Sequence, residues 1–416
     1  MHRSACDDAR SASCLTLAAT LLLAACGGGR GSEPDSVTVA VMDSAGIAII
    51  ENHIDTAAVR AGWQLSEQPV LTIGGLDALE ASQIYRVRGA VRLSDGRIAV
   101  ADGGSMEIRV FDPAGRPLAR FGREGEGPGE FRDPFLAGRT AGDSLVVFDA
   151  GLRRATILTA DSGFVRSYQV GIEGGGYPIA QGILGDGSLA IGGGMYFSSA
   201  EGFPSGALRA PSKYLVIAPD GSLGVDLGEF PAAAMYARRS ATSFQAISIP
   251  LGRVTGFAAS SDHLWLGTGD SWELRGYGKT GVLERIVRVE RPLEPVTAAL
   301  RHAAIEEQVA DAANENEARS QRALLSELPF PSELPPYELF RTDALDHLWV
   351  GEFAPPGQDT RHWTIFDPSG RAVGRITLPE RTVPLEIGAD YILARTLDEL
   401  DVERLTLWRL ERPASR

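Results

Sequence analysis

The sequence contains very little cysteine. Three cysteines occur in 416 residues, and all of them (Cys6, Cys14 and Cys26) lie in the first 26 positions. The chain after Cys26 therefore has no disulfide bonds and no cysteine ligands for a metal. Its apolar content of 44% is high enough for a full core. We expect the folded part to be held together by core burial alone.

The usual patterns of a metal site are missing too. The chain has six histidines, with no His-x-His pair and no HExxH sequence, so a zinc site of the common kinds lacks ligands. His263 and His347 each precede a Leu-Trp pair, and there we expect turn residues rather than ligands. The sequence predicts neither a bound metal nor a cofactor.

Lysine is almost absent, and the chain as a whole is acidic. Two of the 40 basic residues are lysines, Lys213 and Lys279, and the formal net charge is −14. Nucleic acids and anionic membrane surfaces repel such a protein. We therefore expect no nucleic-acid partner, and contact with a membrane only through an anchor.

Residues 1–25 have the pattern of a lipoprotein signal peptide. A weakly basic start precedes an apolar run of 11 residues, which is too short for a bilayer core that needs roughly 20. The run ends in Leu-Ala-Ala before Cys26, which matches the lipobox of bacterial lipoproteins, whose cysteine carries the lipid. Gly27, where an aspartate would favour the inner membrane, favours the outer membrane. Residues 26–36 form a flexible tether; the alternative is an ordinary secretory signal cleaved near Ala25.

Short apolar runs separated by turn residues fill the rest of the chain. The clearest group has runs at residues 98–100, 108–111 and 118–121, each ended by Gly, Asp or Pro, which predicts strands joined by hairpins. Turns of the Asp-Pro-x-Gly kind recur, and VFDPAGR from residue 110 nearly repeats as IFDPSGR from residue 365.

The apolar second strand of the group recurs along the chain. The copies lie at residues 98–100, 145–148, 189–191, 264–267, 348–351 and 391–394. Six copies of a four-strand unit predict an all-β fold, a six-bladed β-propeller with four-stranded antiparallel blades, over residues 37–416.

The two ends of the chain are predicted to share one blade. The last unit stops one strand short, and residues 69–75 resemble the outer strand at residues 117–122. We expect this N-terminal strand to close the last blade. Residues 37–50 then form an extra hairpin or edge strand, which the sequence does not place.

The turns, together with the Gly-rich segment at residues 121–131, resemble those of NHL-type six-bladed propellers. The chain after about residue 60 resembles the six-bladed propeller lipoproteins of bacteria. This resemblance implies a propeller fold and is nearly silent on function. Six-bladed enzymes of the gluconolactonase type hold a metal with Glu, Asp and Asn. Here the three asparagines (Asn52, Asn314 and Asn316) all lie outside the predicted blades, which argues against an enzyme of that type.

Long insertions fall on one end of the predicted propeller. In an antiparallel blade the first-to-second and third-to-fourth turns share one end, which we call the short-turn end. The other connections share the opposite, long-loop end, and there lie the insertions at residues 192–212, 230–253, 291–337 and 352–361. Long loops on a rigid scaffold often carry binding sites. The alternative is that they cover an apolar end of the channel.

The longest insertion, about residues 292–328 between blades 4 and 5, is predicted to be helical. An Ala-, Glu- and Arg-rich stretch at residues 297–328 lies between prolines, and a polar patch at residues 314–317 is expected to break or loosen it. Its apolar stripe is thin, so we expect a cap packed on the propeller. A helix that binds a partner is the alternative.

The candidate ligand-binding residues are charged groups expected near the long-loop mouth of the channel: Arg123, Glu124, Arg153, Arg154, Glu352 and Arg361. Arginine offers planar, bidentate donors, so a carboxylate or another small anion is the expected guest. The alternative is that these arginines pair with neighbouring acids as ordinary surface ion pairs.

Two functions stay open. The first is a lipid-anchored, monomeric envelope protein that binds or scaffolds an envelope protein or a small anionic ligand. The second is a propeller hydrolase or lyase with its site in the central channel. The missing metal ligands favour the first.

Overall fold

A computed structural model describes residues 37–54, 62–76, 78–171, 177–192, 205–239, 244–358 and 360–413. The signal peptide at residues 1–25, the tether at residues 26–36 and Cys26 lie outside the described residues. Within these ranges no helix is long and apolar enough to cross a membrane.

The N-terminal part contributes strands to sheets that are completed later in the chain. They are β1 (Val37–Ser44), β2 (Ile47–Ile54), β3 (Gln64–Leu65) and β4 (Leu71–Gly74). A short 3-10 helix follows at Glu80–Ser82.

Three four-stranded antiparallel sheets come next. Sheet 1 has β5 (Val87–Arg92), β6 (Ile98–Asp102), β7 (Glu107–Phe111) and β8 (Pro117–Phe121). Sheet 2 has β9 (Pro134–Arg139), β10 (Leu145–Asp149), β11 (Arg154–Thr159) and β12 (Gly163–Gln169). Sheet 3 has β13 (Ile179–Ile183), β14 (Leu189–Gly192), β16 (Pro211–Ile217) and β17 (Leu223–Pro231).

A separate three-stranded sheet is built from the insertions around sheet 3. Its strands are β15 (Gly206–Leu208), β18 (Met235–Arg239) and β19 (Phe244–Ser248). These segments were expected to be loops, and this sheet was not predicted.

The second half has three further sheets. Sheet 4 has β20 (Gly256–Ala259), β21 (His263–Gly267), β22 (Glu273–Gly278) and β23 (Leu283–Val289), followed by helices α1 (Ala298–Val309) and α2 (Glu315–Ser326). Sheet 5 has β24 (Tyr337–Thr342), β25 (Leu348–Glu352), β26 (His362–Phe366) and β27 (Ala372–Thr377). Sheet 6 has β28 (Thr382–Ile387), β29 (Tyr391–Leu397) and β30 (Glu403–Glu411).

The chain is mostly β-structure, and its four-stranded antiparallel sheets are consistent with a β-propeller. Burial follows the position of a strand in its sheet. The second strands β6, β10 and β25 are buried at every residue, because a neighbouring sheet covers each of their faces. The outer strands β8 and β12 are mostly exposed. The outer strand β27 of sheet 5 is an exception, since most of its residues are buried.

The core is divided into clusters, each shared by two sheets that follow each other in the chain. One cluster joins sheet 1 to sheet 2 through Val91 and Val147, among others. Corresponding clusters join sheets 2 and 3, 3 and 4, 4 and 5, and 5 and 6. A further cluster returns from sheet 6 to sheet 1 and contains Leu393 and Val100.

The first strands of these sheets also contact one another in a closed cycle. β5 contacts β9, β9 contacts β13, and the sequence continues through β20, β24 and β28 back to β5. We call this cycle the ring. Each member is the first strand of its sheet, as the predicted repeat requires.

Sheet 6 is completed from the N-terminus. β4 pairs antiparallel with β30, with Leu71 opposite Leu407 and Gly74 opposite Arg404, and β3 pairs with the end of β30. The pairing expected for residues 69–75 is therefore present.

The unplaced segment at residues 37–50 forms an antiparallel hairpin of β1 and β2. β2 pairs in parallel with β23, so the hairpin extends sheet 4. The amide of the fully buried Asn52 fixes this position: Nδ2 donates to Gly370 O at 3.0 Å, and Oδ1 accepts from Ala372 N at 2.8 Å. The hairpin is thus held between sheets 4 and 5.

The insertion between sheets 4 and 5 holds two helices, with the break at the polar patch of residues 314–317. Asn314 ends the continuous stretch by capping α2, since its side chain accepts a hydrogen bond from Glu317 N at 3.1 Å. An Asn side chain that satisfies a free N–H starts a helix rather than continuing one. The buried residues of both helices pack against Tyr236 and Ile247 of the three-stranded sheet.

Candidate functional site

The short-turn end of the ring is tied together by hydrogen bonds between turns of consecutive sheets. Asp143 and Asp346 occupy equivalent turns and accept from a serine of the preceding sheet, Ser94 or Ser261. The bonds join Ser94 to Asp143, Gly185 to Ser261, Ser261 to Asp346, Ala344 to Ile387, and Arg92 to Glu386. This network ties the short-turn ends of consecutive sheets to one another.

Glu386 is the most enclosed carboxyl group of this network. Its Oε2 accepts from Arg92 N at 2.6 Å and from the Tyr391 hydroxyl at 2.9 Å, and Arg139 Nε lies 3.8 Å from Oε1. Burial raises the pKa of Glu386, opposed by the hydrogen bond from Arg92. Burial also raises the pKa of Tyr391. Since these partners come from sheets 6, 1 and 2, the contacts of Glu386 hold three sheets together.

Arg341 is a ring residue whose side chain forms no ion pair within the described part of the chain. It lies near the end of β24, opposite Trp349 of β25. Its Nε donates to Pro384 O of β28 at 3.0 Å and its Nη1 donates to Phe340 O at 2.8 Å. Both acceptors are neutral carbonyls, and no carboxylate pairs with Arg341 among the described residues. The Arg341 side chain is nevertheless only half-buried, so part of it is accessible to solvent.

The pKa of Arg341 reflects this setting. Burial lowers the pKa of the Arg341 guanidinium to about 10, and the positive charge of Arg361 lowers it further. The group still carries its proton at neutral pH. A cation that is desolvated and close to a second cation gains more from a bound anion than a cation in water does.

Arg361, one of the predicted site residues, supplies that second cation. Its Nη2 donates to Glu338 Oε2 of β24, while its buried Nε has no hydrogen-bond partner in the described part of the chain. Burial raises the pKa of Glu338, although Arg361 opposes the shift, and the charge of Glu307 on α1 adds to it. The Glu338 carboxyl group thus pairs with Arg361, whose charge also reaches Arg341, and the helical insertion contributes the charge of Glu307 to the same place.

Four of the other predicted residues lie around the loop at residues 121–131. Arg123 is 79% exposed and pairs with Glu130, as the surface-pair alternative expects. Glu124 is exposed and forms an isolated bridge to Phe131. Arg153 has a left-handed φ of +48°, and its carbonyl accepts from Val170 N at 2.8 Å.

Arg154 has a structural role in the same loop. It is 8% exposed, and its Nη atoms donate to the carbonyls of Glu126, Gly127 and Glu130 at 2.6–3.0 Å. The structure therefore brings Arg123, Glu124 and Arg154 to one loop, where the Nη donors of Arg154 are already used.

Glu352 is buried in sheet 5 and saturated with partners. Arg375 binds it in bidentate fashion at 2.7 and 2.8 Å, and Arg291 and the Thr364 hydroxyl each donate at 2.8 Å. Burial alone would raise the pKa of Glu352, but the hydrogen bonds from Arg375 and Arg291 outweigh it and hold the pKa at about 2. This carboxylate is an internal counterion.

Arg341 and Glu338 were not predicted as site residues, because the candidate charged groups were those expected in loops. The signal that identifies them is a pair of charged residues in the segment YELFRT, which is the first strand of a unit and otherwise apolar in character. A charged residue in a strand that lines the ring needs an explanation, whereas one in a loop does not.

In the described ranges no group of three or more His, Cys, Asp or Glu side chains is positioned to hold a metal ion. The charged groups here are instead Arg341 of β24 and the pair of Arg361 with Glu338, whose carboxyl group has a raised pKa. Such a set can bind an anion and exchange a proton with it.

No protein-family model matches the sequence, and no curated protein matches it. Solved structures with a similar arrangement include an exported protein from Bacteroides fragilis, with 12% identity over 88% of this chain and 99% of that chain and a TM-score of 0.45. A protein of a family of unknown function from Bacteroides vulgatus has 9% identity over 84% and 98% of the two chains, with a TM-score of 0.48. A calcium-binding regucalcin from Agrobacterium tumefaciens has 14% identity over 83% and 95%, with a TM-score of 0.40. Similarity at this level assigns no activity to the chain.

Proposed function

We propose that this protein is an exported six-bladed β-propeller with NHL-like repeats that binds a small anionic ligand inside its ring. In this proposal Cys26 carries a lipid that anchors the protein to the bacterial cell envelope, at the outer membrane. The closed cycle of first strands and the core cluster shared by sheets 6 and 1 support the six-bladed fold. The lipobox sequence supports the anchor.

The observation that carries the binding proposal is the uncompensated charge of Arg341. A buried cation is normally paired, because an unpaired one costs desolvation energy without return. Within the described ranges, Arg341 donates only to the carbonyls of Pro384 and Phe340. An anion bound to the guanidinium group of Arg341 would supply the missing negative charge and complete the site.

The donors around this position favour an oxyanion such as a carboxylate or phosphate. Arg341 presents a planar guanidinium, and Arg361 adds a buried Nε that has no partner among the described residues. Planar groups of this kind hold two oxygens of one anion at once. Because Arg341 lies in the ring and not on the outer surface, a small ligand suits the site better than a folded envelope protein.

Binding can be measured as thermal stabilisation by probe anions. A ligand that binds only the folded state raises the unfolding temperature in proportion to RT ln(1 + [L]/Kd). We expect citrate, acetate or inorganic phosphate, titrated at constant pH and ionic strength, to raise the midpoint of the wild-type protein. Arg341→Gln should remove most of this rise.

The matched control is Arg120→Gln, which changes an exposed arginine of the outer strand β8. It should leave the response to all three anions unchanged. An Arg341→Gln protein that responds as the wild type does would refute the proposed site, and so would loss of the response in both variants.

A second function, a hydrolase or lyase of the ring, is favoured by Glu338 alone. Burial raises the pKa of Glu338, which is the direction that a general acid or base requires, and the neighbouring guanidinium group of Arg361 suits an anionic substrate. We expect Glu338→Gln to abolish hydrolysis of a carboxylate-bearing nitrophenyl ester while leaving the anion response in place. Hydrolysis that is absent in the wild type, or that survives the substitution, counts against this function.

A further inference from the structure

The hairpin of β1 and β2 leaves a long open edge on sheet 4. In the described residues β1 pairs with β2 alone, over eight residues. Val41 and Met42 are 55% and 48% exposed. The strand lacks proline and lysine, and Asp43 is its single charge. Natural edge strands usually carry proline, lysine or other charged residues that block pairing, because an unprotected edge is a template for another strand.

The backbone groups that point away from the hairpin can be identified. The turn residues Ala45 and Gly46 have φ of +55° and +83°, so the loop is a two-residue turn with left-handed backbone. In such a hairpin the flanking pair, Ser44 and Ile47, is hydrogen-bonded, and hydrogen-bonded pairs then alternate along the ladder. Thr38, Ala40 and Met42 therefore bond to β2.

The free donors and acceptors of β1 are consequently those of the odd-numbered residues, Val39, Val41 and Asp43. The hairpin itself is firmly placed, since β2 pairs with β23 and Asn52 is bonded to sheet 5. The open edge thus belongs to a rigid part of the molecule.

The sequence of β1 is complementary to itself in an antiparallel pair. With Ala40 opposite Ala40 of a second copy, Val39 falls opposite Val41, and both use their outward N–H and C=O groups. Asp43 falls opposite Val37, so no like charges meet although the whole chain is acidic. Thr38 and Met42 share the other face of the pair.

We propose that β1 pairs with β1 of a second copy of this chain, in antiparallel register centred on Ala40, and joins two copies of sheet 4 into one continuous sheet. Two strands of eight residues form a small contact compared with the roughly 1,200–2,000 Å² of stable complexes. The protein stays monomeric in dilute solution, in agreement with the sequence expectation. Pairing becomes appreciable where copies are concentrated, as on a membrane.

Cysteine cross-linking tests this register, because Cys26 is the last cysteine of the natural sequence. In the proposed pair the two copies of residue 40 form a non-hydrogen-bonded pair with Cα atoms about 4.5 Å apart, within the range for a disulfide. The two copies of residue 43 are about 20 Å apart, at roughly 3.4 Å per residue. The full chain is expressed with its signal peptide, and the cell envelopes are treated with a mild oxidant before non-reducing electrophoresis.

We expect Ala40→Cys to give a disulfide-linked dimer several-fold more abundant than Asp43→Cys gives, and the parent chain with Cys26 alone to give none. Adding Val41→Pro to Ala40→Cys should abolish the dimer. That proline removes an outward N–H and leaves the bonds to β2 in place, and the unfolding temperature of the double variant should match that of Ala40→Cys.

Equal cross-linking of Ala40→Cys and Asp43→Cys would mean random collision and would overturn the proposal. The absence of a dimer in Ala40→Cys, as when residues 27–36 cover the edge, would overturn it too. A dimer that survives Val41→Pro in a normally folded protein would exclude strand pairing. None of these outcomes depends on whether the ring binds an anion.

Discussion

The buried ion cluster of sheet 5 allows a quantitative prediction. Glu352→Gln keeps the shape of the side chain but removes its charge, leaving Arg375 and Arg291 without their carboxylate. The Glu352 side chain is 6% exposed and that of Arg375 is 9% exposed, so water replaces little of the lost interaction. A pKa of about 2, against the ordinary 4.5, corresponds to roughly 3 kcal/mol at neutral pH, at about 1.4 kcal/mol per pKa unit. Breaking a buried pair typically costs about 3–5 kcal/mol.

The free energy of unfolding should be measured by urea denaturation at several pH values. Because the folded-state pKa of Glu352 lies below its unfolded value, its contribution is complete above about pH 4.5 and is lost as the pH falls towards 2. We therefore expect the wild type to exceed Glu352→Gln by roughly 3 kcal/mol at pH 7, with a difference that shrinks in acid. Glu124→Gln, at an exposed position, should change stability by less than about 0.5 kcal/mol. Equal midpoints at pH 7, or a difference that does not depend on pH, would refute the reasoning.

Three further changes test the fold and the anchor. Gly370 has φ of +90°, and a Cβ there would lie 2.5 Å from Val287 Cγ2, so Gly370→Val should cost at least about 1–3 kcal/mol. Gly142→Val, with open space around it, should not; identical denaturation midpoints for the two would argue against the turn. Cys26→Ser should move the protein from the membrane pellet to the soluble fraction with an unchanged circular dichroism spectrum, and a variant that still pellets with unchanged mass would contradict lipidation. Removal of residues 37–75 should expose the edge of β30 and cause aggregation in light scattering, whereas a monomer with the wild-type melting point would show that β4 is dispensable.

The strands and turns were predictable because their chemistry is local. The Asp-Pro-x-Gly turns require a left-handed glycine, and Gly115 and Gly370 have φ of +79° and +90°. Asp112 and Asp367 each accept N–H bonds from their own turns, as such turns require. The apolar second strands were recognisable because a neighbouring sheet covers each of their faces.

The attachment of the β1–β2 hairpin was not predictable from the sequence. It depends on a parallel pairing between β2 and β23, which are more than 200 residues apart in the chain, and on the contacts of one amide, Asn52. Neither leaves a local pattern. The three-stranded sheet also escaped prediction. β18 and β19 form a local hairpin, but β15 is separated from them by β16 and β17 of sheet 3.

The candidate site was predicted in its chemistry more than in its position. Arginine-rich recognition of an anion remains the proposal, and Arg361 is part of it. The sequence cannot tell which arginines find partners after folding. The Nη donors of Arg154 and the carboxylate of Glu352 are occupied within the protein, whereas Arg341 pairs with no carboxylate among the described residues.

Anomalous diffraction from crystals soaked in bromide tests the central claim most directly, because bromide reveals where an anion binds whatever the natural ligand is. The proposal predicts a strong bromide peak inside the ring, beside the Arg341 guanidinium and close to Arg361, that disappears in Arg341→Gln crystals. Bromide bound only at exposed arginines such as Arg120, with none in the ring, would contradict it.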